Sequence, residues 1–330
     1  MSAIIHGGDL SDLVAAFPDA PQPLIDLSTG INPWPYPARP SDDAWRRLPQ
    51  REAEQGCIDA LSSYLGADGE SIILTPGTQL AISLLPHLIA PRRVAIVSPT
   101  YAEHAAAWRS AGAEVFEVAS QALADTGADI LVVTNPNNPD GALHPADVLL
   151  DLAKAQAARG GWLIVDEAFC DVVPSASLAA HGGASGLVIL RSFGKFFGLA
   201  GSRLGAVLAP PELGQKLRHA MGPWAVSGPA LEIGAAAYRD NEWISATRRK
   251  LKAESVRLDQ LFATHNLSVI GGTPLYRLAE TGDAATLKPH LARAGIHVRS
   301  FDYNPAWLRF GLPADESAFQ RLAAALESFQ

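Results

Sequence analysis

Cysteine is nearly absent: 330 residues contain only Cys57 and Cys170. Two thiols so far apart cannot form a disulfide framework or a cysteine-ligated cluster, so the expected compartment is a reducing cytoplasm and no metal is expected. Long apolar runs are missing as well. The start, "MSAIIHGGDLSDL", has neither the basic residues nor the apolar core of a signal peptide, and no later stretch approaches a membrane span. A soluble, unprocessed protein that does not engage a membrane is expected. There is no surplus of positive charge, since 26 Lys and Arg face 34 Asp and Glu for a net charge of −8. The two signs are interspersed, which argues against nucleic acid as a partner. No period of a repeat architecture is visible. No G-x-G-x-x-G follows the first strand of the expected sheet, which removes the dinucleotide-binding dehydrogenases.

What the chain has in quantity is apolar sequence, 48% of it, enough for one large core and a smaller one. The 24 prolines gather early, in "FPDAPQPLIDLSTGINPWPYPARP", which cannot be a regular helix and reads as an extended arm. "REAEQGCIDALSSYLG" has helical spacing, with Gly66 as its stop. Seven short β-branched or apolar runs follow: "SIILTPG", "RRVAIVSPT", "AEVFEV", "ADILVVTNP", "GWLIVDEAF", "GLVILRSF" and "SRLGAVLAP". Most are separated by enough chain for a helix, so an α/β unit with a mostly parallel seven-stranded sheet covered on both faces is expected. Helical character then runs over 229–265, where "TRRKLKAESVRLDQ" reads as a solvated face. "LSVIGG", "PLYRLAE", "IHVRSF" and "AWLRFGLP" suggest a small α+β domain. The expected organisation is an arm over 1–45 that joins part of the small domain, a large domain over 46–228, a connecting helix over 229–265 and a small C-terminal domain over 266–330.

In open α/β sheets ligands lie beyond the carboxyl ends of the strands. Those ends supply Gly77-Thr78-Gln79, Pro99-Thr100-Tyr101, Asn135 to Gly141, Asp166-Glu167 and Ser192 to Lys195. A lysine among Phe193, Phe196 and Phe197 is poorly solvated, which favours a neutral, reactive amine. His104, His181, His219 and His297 have no spacing or neighbour that assigns them a role.

In order, "PGTQ", "PTY", "NPNNPDG", "VDEAF", "SFGKFFGLAGSRLG" and "LRFG" resemble the fold-type-I pyridoxal-phosphate enzymes, in the class I/II aminotransferase branch that includes histidinol-phosphate aminotransferase. The most specific part is Ser192-x-x-Lys195 with Arg203 eight residues on. The arm, "HGGDLSDLVAAFPDAPQPLIDLSTGINPWPYP", is similar to the start of the threonine-phosphate decarboxylases of cobalamin biosynthesis, and this second resemblance extends over nearly the whole chain.

The resemblance implies pyridoxal 5'-phosphate, held by Lys195 as a Schiff base, with Lys195 also moving the proton. Gly77, Thr78 and Gln79 would open a helix whose N-terminus takes the cofactor phosphate, with Ser192 and Arg203 completing that site. Asp166 would pair with the pyridine nitrogen, Asn138 with the ring hydroxyl, and Tyr101 would stack on the ring. Arg309 would grip a carboxylate as a bidentate fork. Two positions depart from the aminotransferase pattern: Phe169 and Leu48 stand where relatives often have tyrosine.

The implied reaction is decarboxylation of L-threonine O-3-phosphate, a small phosphorylated amino acid, to (R)-1-amino-2-propanol O-2-phosphate. His6, Gly7, Gly8, Asn32, Arg299 and Arg309 are candidates for anchoring its phosphate and carboxylate. A histidinol-phosphate or related aminotransferase is the alternative. The resemblance further implies a homodimer.

Overall fold

Proline cannot donate to a hydrogen-bond ladder, and the proline-rich arm is accordingly turns and irregular chain with a single two-residue strand. In the computed structural model, which describes residues 6–90 and 93–329, that strand is β1 (Ile25–Asp26). The chain divides into two units. One comprises the chain up to Pro35, Pro139–Gly141 and the chain from Ser245 on; the other, larger one comprises Tyr36–Asn138 and Ala142–Ile244.

The larger unit is built on seven strands: β2 (Ile72–Thr75), β3 (Arg93–Val97), β4 (Glu114–Val118), β5 (Ile130–Thr134), β6 (Trp162–Asp166), β7 (Leu187–Ser192) and β8 (Gly205–Leu208). Their order is β2-β8-β7-β6-β5-β3-β4, and every pairing is parallel except the two made by β8. The mostly parallel seven-stranded sheet expected from the apolar runs is therefore present. β2, β5 and β8 are buried along their whole length, as continuous apolar strands under helical layers must be. Ile82, Leu85, Trp108, Ile130, Val132, Ile164, Val188 and Leu217 belong to one core that joins sheet and helices. The helix Arg51–Leu65 ends as expected, with Gly66 at φ 63° donating its N–H to the Ser62 carbonyl.

The helical stretch read as one element over 229–265 is two helices, Gly228–Arg239 and Asn241–Ala263. Asp240 leaves the helical region, and its carboxylate accepts the Trp243 N–H at 2.9 Å. A side-chain acceptor there starts a new helix more favourably than it continues the old one.

In the smaller unit, β9 (Ser268–Thr273), β10 (Tyr276–Glu280), β12 (Arg299–Phe301) and β13 (Asn304–Gly311) form an antiparallel sheet in the order β12-β13-β10-β9. The segment "IHVRSF" is split, because its first part, β11 (Ile296–His297), pairs in parallel with β1 instead. The arm thereby becomes part of this unit. Helix Ala284–Arg293 packs on β13, and Phe262 meets Phe310 at 4.7 Å between ring centroids. Among the described residues, no helix is long and apolar enough to cross a membrane.

Candidate active site

The parallel strands bring their carboxyl ends to one edge of the larger unit's sheet. Because β8 runs the other way, its first residue, Gly205, lies in register with the last residues of both its neighbours, Thr75 and Ser192. Gly77, Tyr101, Asn138, Asp166, Ser192, Lys195 and Arg203 all lie at or just beyond this edge, on elements far apart in the chain.

Gly77 sits at φ 79° and ψ 161°, just before the eleven-residue helix Thr78–Leu88. A Cβ there would stand 2.6 Å from Nη2 of Arg203, and one on Gly205 would stand 2.8 Å from the Thr78 nitrogen. Glycine at both positions lets a guanidinium lie directly over a helix N-terminus that no side chain caps. Arg203 is itself left-handed, at φ 52°, with Nη1 donating to the Ala200 carbonyl at 3.2 Å. Open N–H groups beside a fixed cation suit a dianionic phosphate. Ser192 ends β7 next to this cradle. The Gln79 side chain is turned elsewhere: its carbonyl accepts the Tyr101 hydroxyl at 2.8 Å, and its amide donates to Glu103 at 3.4 Å. Gln79 therefore orients the Tyr101 ring. Burial pushes the Tyr101 phenol up to about 12, with Glu103 and Asp166 adding to the effect, so it stays neutral at ordinary pH.

Asp166 ends β6 almost fully buried. Its Oδ1 accepts the Ala168 N–H at 3.0 Å, and its Oδ2 lies 2.9 Å from Nε2 of His104, which is also buried. A carboxylate sealed from water persists only when partners replace its hydration, and here they also fix its direction. Behind it, Glu167 accepts from Arg191, Ser177 and the Leu178 N–H at 2.8, 2.6 and 2.6 Å, while Arg191 also pairs with Asp171. This buried network ties the end of β6 to the end of β7. In the loop after β5, the Asn135 side chain accepts the His144 N–H at 2.9 Å, and the Asn137 side chain accepts from Thr100 at 2.8 Å. Both amides hold the loop together, and Asn138, the next residue, is half-buried.

Lys195 lies in the short helix Phe193–Phe196, half-buried above rings that are fully buried. Phe193 stacks on Phe197 at 4.6 Å and Phe197 on Trp243 at 5.6 Å between centroids, which makes a rigid apolar floor. Nζ of Lys195 is 5.8 Å from the centre of the Phe169 ring, which is itself buried. Leu48 is 59% exposed.

The substrate candidates lie in the smaller unit. Arg309 on β13 is buried, and its Nη2 donates to the Ser28 carbonyl at 2.7 Å. Burial pulls its guanidinium below the usual range; Tyr276 counters that pull, and repulsion from Arg299 reinforces it. Arg299 is directly opposite Arg309 in the β12–β13 register and is likewise lowered, chiefly by burial. Two guanidiniums side by side, both partly stripped of water, favour anionic ligands. Asn32 is buried with its side-chain oxygen accepting the Trp34 N–H at 2.9 Å, so it shapes the turn of the arm. The Gly8 N–H donates to Oγ of Ser28 at 2.8 Å, Gly7 packs on Ser28, and His6 is exposed.

Three residues that the sequence did not mark are His104, Glu103 and Ser28; Gln79 was marked, but for the phosphate cradle and not for orienting Tyr101. The first left a faint signal, since His104 is only three residues after Tyr101, a spacing that one turn of chain can bring together. Their rings meet edge-on at 6.1 Å. Among the described residues, no group of three His, Cys, Asp or Glu side chains could hold a metal ion.

Residues 40–326 match the family described as aminotransferase class I and II. The chain is similar to the threonine-phosphate decarboxylase of Pseudomonas aeruginosa, with 44% identity over 98% of each chain. It is also similar to that of a Sinorhizobium species, with 45% identity over 99% of this chain and 98% of the relative. Among solved structures, the histidinol-phosphate aminotransferase of Sinorhizobium meliloti, in complex with pyridoxal-5'-phosphate, superposes with a TM-score of 0.83 at 18% identity, covering 100% of this chain and 96% of that one.

Proposed function

The chain belongs to the class I and II aminotransferase family, and within it we propose a pyridoxal-5'-phosphate-dependent carboxy-lyase that converts L-threonine O-3-phosphate to (R)-1-amino-2-propanol O-2-phosphate and carbon dioxide. One observation carries the choice of decarboxylase over aminotransferase. The likeness to two threonine-phosphate decarboxylases runs almost end to end, through the arm that precedes the family match at residue 40. The product class places the enzyme in cobalamin biosynthesis.

When bound, pyridoxal phosphate supplies an electron sink for the carbon–carbon bond that breaks. Lys195 is the amine that would hold it, and the same amine would deliver to Cα the proton that replaces the lost carboxylate. The N–H groups opened by Gly77 and Thr78, with Ser192 and Arg203, would hold its phosphate. The buried Asp166 carboxylate, braced by His104, would face the ring nitrogen and keep it protonated. Tyr101, clamped by Gln79, would cover one ring face, and Asn138 would donate to the ring oxygen.

In the smaller unit, Arg309 and Arg299 would take the two anions of the substrate. A planar guanidinium on each fixes orientation as well as charge, and orientation decides which bond at Cα is cleaved. Asn32 would shape the arm, and the turn His6-Gly7-Gly8 would close the phosphate end. A cytoplasmic homodimer is part of this reading. Trp45, Leu48 and Trp224, 70, 59 and 58% exposed on the larger unit, offer apolar area for a second copy to cover.

The test is carbon dioxide release from L-threonine O-3-phosphate by the cofactor-loaded protein, with Lys195→Ala as control and histidinol phosphate plus 2-oxoglutarate in parallel. Release that depends on Lys195 supports the decarboxylase. Transamination without carbon dioxide replaces it with the aminotransferase.

A further inference from the structure

The serine that follows β1 holds two parts of the chain with two different atoms. The carbonyl of Ser28 accepts Nη2 of Arg309 at 2.7 Å, and its hydroxyl oxygen accepts the Gly8 N–H at 2.8 Å. The same hydroxyl donates to Oδ1 of Asp26 at 2.5 Å, and the Ser28 N–H donates to that oxygen at 2.8 Å. Ser28 is fully buried. Its neighbour Leu27 is held on both sides, with its N–H on the His297 carbonyl at 2.8 Å and its carbonyl on the Gly311 N–H at 2.7 Å. The residue therefore has a fixed position between β11 and β13.

We propose that Ser28 is a positioning residue that locks the His6-Gly7-Gly8 turn and the guanidinium of Arg309 into one register, so that the groups gripping the two ends of the substrate are set together. The inference rests on the reading of that turn and of Arg309 as substrate-binding. The hydroxyl suits this role because it donates and accepts at once. Giving its proton to the Asp26 carboxylate makes its oxygen a stronger acceptor for the Gly8 N–H. The turn fits closely over it: a Cβ on Gly7 would stand 2.5 Å from the Ser28 carbonyl oxygen and 2.8 Å from its Oγ. Gly8, at φ 95°, has the backbone that brings its N–H down onto the hydroxyl. Two glycines and one serine, with Gly8 and Ser28 20 residues apart, thus form a single joint. Shifting the turn moves the residue whose carbonyl orients Arg309.

Ser28→Ala removes the hydroxyl and keeps the carbonyl; Gly7→Ala keeps the hydroxyl and pushes the turn off it. Losing one buried hydrogen bond corresponds to about 5- to 100-fold in binding. Each variant is expected to raise KM for L-threonine O-3-phosphate by about that factor while kcat changes less than about threefold. The double variant should be no worse than the poorer single one, because both break the same joint. Hydrogen–deuterium exchange of the N-terminal peptide should quicken in Ser28→Ala, with bound cofactor content unchanged. Additive effects, an unchanged KM, unaltered exchange, or loss of cofactor together with kcat would each overturn the role. If the wild type releases no carbon dioxide from this substrate, the proposed function fails, while the exchange comparison still decides whether Ser28 holds the turn.

Discussion

Nε2 of His104 lies 2.9 Å from Oδ2 of Asp166, with both side chains sealed from water. The pair joins a residue in the helix after β3 to the last residue of β6. A carboxylate that must hold charge in a dry site depends on such a neighbour for its direction. Replacing the imidazole by phenylalanine keeps the bulk and removes the hydrogen bond. A hydrogen bond to a charged group contributes about 1.5–3 kcal/mol, so His104→Phe is expected to lower kcat roughly 10- to 100-fold. KM for the substrate should move little, because His104 is not among the residues proposed to grip the substrate's anions. Steady-state kinetics of the variant checks both halves of this expectation.

Gly77 is a position where shape and backbone agree. Alanine there meets Nη2 of Arg203 at 2.6 Å and must adopt φ 79° with ψ 161°, a region essentially restricted to glycine. Strain of that kind costs about 1–3 kcal/mol. Gly77→Ala should weaken pyridoxal phosphate binding at least tenfold, measured by reconstituting the apoprotein. It should also lower the thermal midpoint of the apoprotein, since the strain is there without the cofactor.

Phe169 supplies a ring and no donor beside Lys195, whose Nζ is 5.8 Å from the ring centre. Phe169→Tyr adds a hydroxyl able to stabilise negative charge on the cofactor's ring oxygen. The pH midpoint of the visible absorbance band should fall by about one unit, the equivalent of one hydrogen bond. Superimposable titrations of the variant and the wild type would show that the added hydroxyl does not reach that oxygen.

His297 gives a pH prediction with a definite sign. Burial lowers its pKa; Asp26 and Asp12 oppose this, and Lys288 and Arg299 reinforce it. The folded protein then binds fewer protons than the unfolded chain just below the usual imidazole value of about 6.5. This group's stability contribution is present above that value and is lost as pH falls through the lowered folded pKa. Denaturant midpoints between pH 5 and 7.5 should show a shallower acid decline for His297→Asn than for the wild type.

Much of this architecture was legible because its signals are local. Seven apolar runs, each only four to six residues long as strands, call for burial of most of their faces, and a sheet with helices on either side provides it for all but the edge strand β4. The chemistry-bearing residues follow those runs directly, so reading strand ends in order recovered Gly77, Tyr101, Asn138, Asp166, Ser192 and Lys195 as neighbours on one edge. The break at Asp240 was less visible, since the helical periodicity on either side hides a single side-chain cap. The split of "IHVRSF" was hidden as well, because its first half pairs with a two-residue strand from the arm.

The sequence by itself determined the strand pattern, the glycine-opened helix, the Ser192-x-x-Lys195 segment with Arg203 beyond it, and the family. Only the tertiary structure decided which side chains complete one another. His104 and Asp166 are 62 residues apart, and Arg309 and Ser28 are 281 apart. The physical reason is that a buried polar group takes as partner whatever the packed sheets bring within about 3 Å. Strand order and register set that distance, and β8 running against its neighbours is what puts Arg203 and Gly205 beside Gly77.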